Sequence, residues 1–242
     1  MSRSTARVMP ATDVHAVLPV KNPGNAKQRL AGVLDPPARI ALFRAMLEDV
    51  LEALAGAASL AGIVLVTRDE EAMTLARRYG AECLVEPENR GHTAAVEFAA
   101  KVLAARGAGA LLQVPGDIPW VTSEEIEAVV AAHAPAPAVT IAPSRDHRGS
   151  NAVLCSPPDV FPFRFGDDSY FPHLAAARAL GIEPTVVERA GIGLDIDTPD
   201  DLEAFLASPS DTRAYRLLAG GSGRDAGRGQ DGAGRRCASR ST

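Results

Sequence analysis

Leu194-Asp195-Ile196-Asp197-Thr198-Pro199-Asp200-Asp201-Leu202 is the most telling stretch of this chain. Strand side chains alternate, so Leu194 and Ile196 fall on one face of a short strand and Asp195 and Asp197 on the other. Thr198 suits a helix cap, Pro199 the first helical position, and Asp200 and Asp201 the positive end of the helix. The stretch therefore reads as a strand running straight into a helix. Two carboxylates side by side at a strand end repel each other unless a cation neutralises them. A hard ion with oxygen ligands, such as Mg²⁺, is the natural partner, and such an ion commonly serves phosphate chemistry.

Working outward, strand-like and helix-like patterns alternate from about Val14. Val14–Leu18, Ile63–Thr67, Cys83–Val85 and Ala110–Val114 read as strands. Between and after them, Pro36–Ala55, Glu70–Tyr79, Thr93–Ala105 and Ser123–Ala132 carry helical spacing, with Ser123 as a cap and Gly80 as a stop. Further on, Ala138–Ala142, Ala152–Cys155 and Thr185–Glu188 read as strands and Tyr170–Leu180 as a helix. This order predicts a mainly parallel central sheet with helices on both faces, an α/β fold. Residues 1–12 are expected to be a flexible N-terminus, 13–208 one domain, and 209–242 a disordered tail rich in Gly, Arg and Ser.

Composition narrows the function. The 242 residues are 46% apolar and 23% charged, ordinary for a globular domain with one sizeable core. A formal net charge of −5 argues against nucleic acid or an anionic membrane as main partner. No apolar run spans a bilayer and no signal-peptide core is present, so the cytoplasm is the expected location. Cys83, Cys155 and Cys237 share no close spacing, which fits a reducing compartment.

Three further segments carry chemistry. Leu18–Leu30 follows the first strand and brings Lys21, Lys27 and Arg29 into one short loop, suited to a triphosphate. It lacks the Gly-rich spacing of a Walker loop. Gln113–Trp120 sets Asp117 just past a buried strand, between Gly116 and two prolines, where ligands of α/β sheets bind. Asp146–Asn151 and Phe163–Ser169 combine Gly with small polar residues ahead of a strand and a helix, places where backbone N–H groups form anion nests. A solvated basic loop and ordinary turns remain the plainer readings of the same residues. The Pro- and Phe-rich stretch Phe161–Phe171 is a candidate contact for a homodimer.

Taken together, PVKNPGNAKQRL, ARIALFRAMLEDVLEAL, PGDIP, RGSNAVLCSPP, FRFGDDS and LDIDTPDDL resemble the CofC-type guanylyltransferases of coenzyme F(420) biosynthesis, from about Val14 to Phe205. The resemblance implies a Rossmann-like nucleotidyltransferase fold. It implies transfer of GMP from GTP to 2-phospho-L-lactate, phosphoenolpyruvate or 3-phospho-D-glycerate, with release of pyrophosphate. By position it implies Asp117, Asp195 and Asp197 as Mg²⁺ ligands and, with Lys27, as the catalytic set. It further implies Lys21, Lys27, Arg29, Gly91 and Thr93 as GTP contacts, and Ser150, Gly166 and Ser169 as the acceptor site. Ser150 stands where Thr is common, and Gly91-His92-Thr93 where Gly-Leu-Asn is usual. The competing expectations are a CTP- or GTP-dependent enzyme acting on a pterin or sugar phosphate, and a non-catalytic nucleotide-binding module.

Overall fold

The computed structural model describes residues 13–21, 27–88 and 90–221. Residues 1–12, the middle of the basic loop at 22–26, Asn89 and residues 222–242, with Cys237, lie outside the described residues.

Seven strands form one sheet: β1 (Val14–Pro19), β2 (Leu60–Val66), β3 (Glu82–Leu84), β4 (Ala110–Gln113), β5 (Ala138–Pro143), β6 (Ser150–Ser156) and β7 (Thr185–Val186). Their spatial order is β3-β2-β1-β4-β6-β5-β7. β1 pairs in parallel with both β2 and β4, β2 with β3, and β5 with β7. β6 alone runs backwards, antiparallel to β4 on one side and β5 on the other. The sheet is mainly parallel, as the alternation of elements predicts.

Both faces are covered. On one, α1 (Pro36–Ala55) and α4 (Ser123–Ala131) set Leu47, Leu51 and Ile126 against Ala16, Leu18 and Leu112. On the other, α3 (His92–Ala105) and α5 (Tyr170–Ala179) set Val96, Leu103 and Leu174 against Val17, Val64 and Leu111. Successive strand residues thus feed opposite cores, the two-period rule of a strand buried on both sides. α1 begins as its sequence dictates: Asp35 accepts the Ala38 N–H at 2.8 Å and Pro36 takes the first position. α2 (Glu70–Arg78) ends at Gly80, whose φ is +76°. Among the described residues no helix is long and apolar enough to cross a membrane.

Four expectations are corrected. Leu194–Asp197 is extended but joins no sheet. It follows the short α6 (Ala190–Gly193) and leads into α7 (Pro199–Leu206). Its alternation is real, with Leu194 and Ile196 buried, but they bury in a third core with Leu42, Met46 and Phe205 and not beneath a strand ladder. The cap of α4 is Thr122, not Ser123, its hydroxyl accepting the Glu125 N–H at 3.3 Å.

The expected tail is ordered as far as residue 221. α8 (Arg213–Gly221) packs on α1, where the Asp49 carboxylate accepts the N–H groups of Arg213 at 2.8 Å and Ala214 at 3.0 Å. Burial holds the Asp49 carboxyl above the usual range, against these bonds, which act to lower it. Lastly, Phe161 and Phe163, expected at a dimer contact, turn into the core beside α5, and Phe171 is the exposed member of that stretch.

Candidate active site

The carboxyl edge of the sheet gathers the charged residues. Past β4, the turn at Gly116 runs so close to α1 that a Cβ there would meet Leu47 at 3.3 Å. This sets Asp117 at the rim. The Asp117 carbonyl accepts the Ile196 N–H at 3.1 Å, so the Leu194–Asp197 connector lies alongside the Asp117 turn. Asp117 is thereby brought into one neighbourhood with Asp195 and Asp197, far along the chain.

Lys27 enters it from the basic loop. Its backbone adopts the left-handed conformation, φ +54°, just ahead of a single 3-10 turn, Gln28–Leu30. Its ammonium lies 2.6 Å from an Asp117 oxygen and 2.7 Å from an Asp197 oxygen. Burial disfavours the lysine charge, but the two carboxylates outweigh it and hold the Lys27 pKa above its ordinary value.

Asp195 has a different setting. It accepts a 3.0 Å hydrogen bond from the Asn151 amide, which also donates to the Ile192 carbonyl at 2.9 Å. Burial, and then the charge of Asp117, push the Asp195 carboxyl up to about 6. It is therefore anionic at neutral pH, at a cost that a nearby cation would relieve.

The donor set, three carboxylates against one ammonium, suits a hard divalent cation. Among the described residues, no group of three or more His, Cys, Asp or Glu side chains is disposed to hold a metal on its own. The Lys27 ammonium stands between Asp117 and Asp197, where such a cation would compete with it.

A cleft of about 500 Å³ opens beside these carboxylates, lined by Asp195, Asp197, Arg29, Arg148, Gly149 and Gly166 among others. Arg29 faces it and pairs with Asp167 at 3.2 Å. Ser150 and Ser169 sit just behind the wall, joined by a 2.9 Å bond from the Ser150 N–H to the Ser169 hydroxyl. On the other flank, Lys21 approaches the start of α3, where a Cβ on Gly91 would lie 3.8 Å from the lysine nitrogen. Gly91 holds φ +104°, a conformation that favours glycine. A cation beside the amino end of a 14-residue helix is suited to an anion.

One assigned contact has another task. The Thr93 hydroxyl bonds both the Phe165 N–H at 3.1 Å and the Phe165 carbonyl at 3.3 Å, tying α3 to the Gly166 loop.

Sequence reasoning missed four participants. Asn151 supports Asp195, and its position after Ser150 is the only hint. His173 bonds Ser150. His92, pushed down to about 4 chiefly by burial, feels both Asp117 and Lys21. Its Nε2 faces the Gln113 side-chain nitrogen at 3.3 Å, while the buried Gln113 side-chain oxygen has no partner among the described residues.

This geometry can be set beside known proteins. Residues 14–220 match the family described as guanylyl transferase CofC like. The phosphoenolpyruvate guanylyltransferase of Rubrobacter xylanophilus is 38% identical over 81% of this chain and 94% of its own length. That of Sphaerobacter thermophilus is 39% identical over 78% and 90%. The 3-phospho-D-glycerate guanylyltransferase of Colwellia psychrerythraea is 35% identical over 80% and 92%. Among solved structures, a nucleotidyl transferase from Methanothermobacter matches with a TM-score of 0.59 at 16% identity, over 86% of this chain and 99% of that one, which speaks for the fold alone. With a strand-edge carboxylate cluster on a nucleotidyltransferase fold, and with relatives of this identity along most of its length, the chain belongs to the CofC-like guanylyltransferases.

Proposed function

We propose that this guanylyltransferase joins GMP from GTP to a three-carbon phosphoacid, phosphoenolpyruvate first among them, and releases pyrophosphate. The carrying observation is the meeting of Asp117 and Asp197 at Lys27, with Asp195 beside them, at the rim of a cleft flanked by basic groups. Phosphoenolpyruvate is preferred because the relatives at 38% and 39% identity carry that activity in their names. The three carboxylates are the proposed ligands of Mg²⁺, which when bound supplies charge neutralisation and orientation for phosphates. The reaction would serve coenzyme F(420) biosynthesis, and free Cys83 and Cys155 fit a reducing, cytoplasmic setting.

Each residue then has a physical task. An acceptor phosphate monoester has a second pKa of about 6, so its oxygen is already a dianionic nucleophile at neutral pH and needs no base. That oxygen attacks the α-phosphorus of GTP, and the bond to the β-phosphate oxygen breaks as pyrophosphate departs in line. Lys21, Arg29 and the Gly91 end of α3 hold the triphosphate. Lys27, freed from its carboxylates, turns to the phosphate charge. Ser150, Gly166 and Ser169 hold the acceptor. Catalysis is then positioning and electrostatics.

Mass spectrometry after mixing the protein with GTP, Mg²⁺ and all three acids in competition tests the reading. A guanylylated phosphoenolpyruvate with stoichiometric pyrophosphate is expected. Absence of any guanylylated acid would overturn it.

A further inference from the structure

His173 is wholly buried in the first turns of α5, among Phe161 and Phe165. Its two ring nitrogens have different partners. Nε2 accepts the Arg164 backbone N–H at 2.8 Å. A backbone N–H has one hydrogen and cannot accept, so Nε2 is unprotonated and the neutral ring carries its hydrogen on Nδ1. Nδ1 lies 2.9 Å from the Ser150 hydroxyl, and the tautomer makes it the donor. Burial pushes the His173 pKa down to about 4, so the ring keeps this state across any ordinary assay.

The consequence falls on two hydroxyls. Ser150 Oγ accepts from His173, and Ser169 Oγ accepts from the Ser150 N–H. The hydrogen of each hydroxyl finds no acceptor among the described residues. Both serines keep their single O–H donor unspent, the capacity an anion requires. From its place in the first turn of α5, the same ring thus ties that segment to two others, the start of β6 and the 164–166 loop. Gly149 and Gly166, which line the cleft, belong to two of these segments.

We infer that His173 is a positioning residue of the acceptor site: through Nδ1 it fixes the Ser150 hydroxyl as a donor to the acceptor's phosphate, and through Nε2 it sets the Gly166 loop against it. This rests on the assignment of Ser150 and Ser169 to the acceptor.

Two substitutions divide the ring's roles. His173→Asn keeps an amide N–H near the place of Nδ1, and His173→Gln keeps an oxygen toward the Arg164 N–H but removes the donor to Ser150. Steady-state kinetics of the full chain with GTP, Mg²⁺ and phosphoenolpyruvate are the readout. His173→Gln should raise the acceptor KM by about tenfold to a hundredfold, the range for a hydrogen bond to a charged group, and move the GTP KM by less than about twofold. His173→Asn, which keeps the donor to Ser150 but not the acceptor for the Arg164 N–H, should recover the part of that loss that Nδ1 carries. Ser150→Ala should raise the acceptor KM as well, and adding His173→Gln to it should cost little more.

Equal rises in both KM values, or no recovery with His173→Asn while Ser150→Ala still raises the acceptor KM, would overturn the role of His173 alone. An unchanged acceptor KM in Ser150→Ala would overturn the acceptor assignment and this inference with it.

Discussion

The Lys27 ammonium and the Asp197 carboxylate, 170 positions apart in the chain, meet at 2.7 Å. The basic loop and the acidic connector are thus latched to each other before any substrate arrives. A lysine in this position neutralises part of the carboxylate cluster and so competes for the charge a divalent cation would use.

That competition predicts opposite effects of one substitution. Lys27→Met should tighten Mg²⁺ binding by about tenfold or more, since a contacting positive charge is removed, while turnover falls. Titration calorimetry with MgCl₂ alone, beside a pyrophosphate-release assay, checks both. Weaker Mg²⁺ binding in Lys27→Met would contradict the latch.

Asp195→Asn keeps shape and burial but removes a charge. Turnover dependent on Mg²⁺ should drop by a factor of about 100 or more, the scale for strong electrostatic groups. Full activity in a folded Asp195→Asn protein would sink the ligand assignment.

Acid should destabilise the fold well before ordinary carboxylates titrate. His92, His133 and His173 are each pushed from 6.5 to about 4, chiefly by burial. Between those values the unfolded chain takes up protons that the folded one refuses, so stability rises with pH through this window. Asp195 works the other way, raised from 3.8 to about 6, so the fold binds its proton more readily. Asp49, also raised, acts in the same sense as Asp195, and three histidines against two aspartates leave the histidines dominant. Urea midpoints at pH 4.5, 5.5 and 7 should increase in that order, and a flat series would refute the balance.

Asp49→Ala should loosen α8 without touching the cleft. Asp49 caps that helix across 164 and 165 positions through the Arg213 and Ala214 N–H groups. Loss of a cap costs about 0.5–2 kcal/mol. A lower urea midpoint with unchanged KM values is the expected result.

Much of this was legible because it is local. α1 was readable end to end because Asp35, Pro36 and its apolar spacing all sit within the helix or next to it. Asp117 stood out because it follows a buried strand, and Asp195 and Asp197 as a pair because they alternate with Leu194 and Ile196. The failures are non-local. Alternation told that Leu194 and Ile196 are buried, but not that a third core rather than a strand ladder buries them. α8 is short, and what holds it lies elsewhere: Ala214 buries in the third core and Asp49, far back in the chain, caps it. His173 has no meaning until Ser150, 23 positions away, is placed against it.

The reversal of β6 has a consequence for polarity. Parallel strands all end on one rim, and the chain leaves that rim through carbonyl-bearing turns. A backward strand brings its beginning to the same rim, and with it the Gly149 and Ser150 N–H groups, which the Ser144 and Ser169 hydroxyls accept. β6 is the direct neighbour of β4, with Val153 opposite Gln113, so the start of β6 runs out beside the turn that leads to Asp117. A single inverted strand thus sets hydroxyl-bearing residues, Ser150 backed by Ser169, on the same edge of the sheet as the Asp117 turn, with no added domain to provide them.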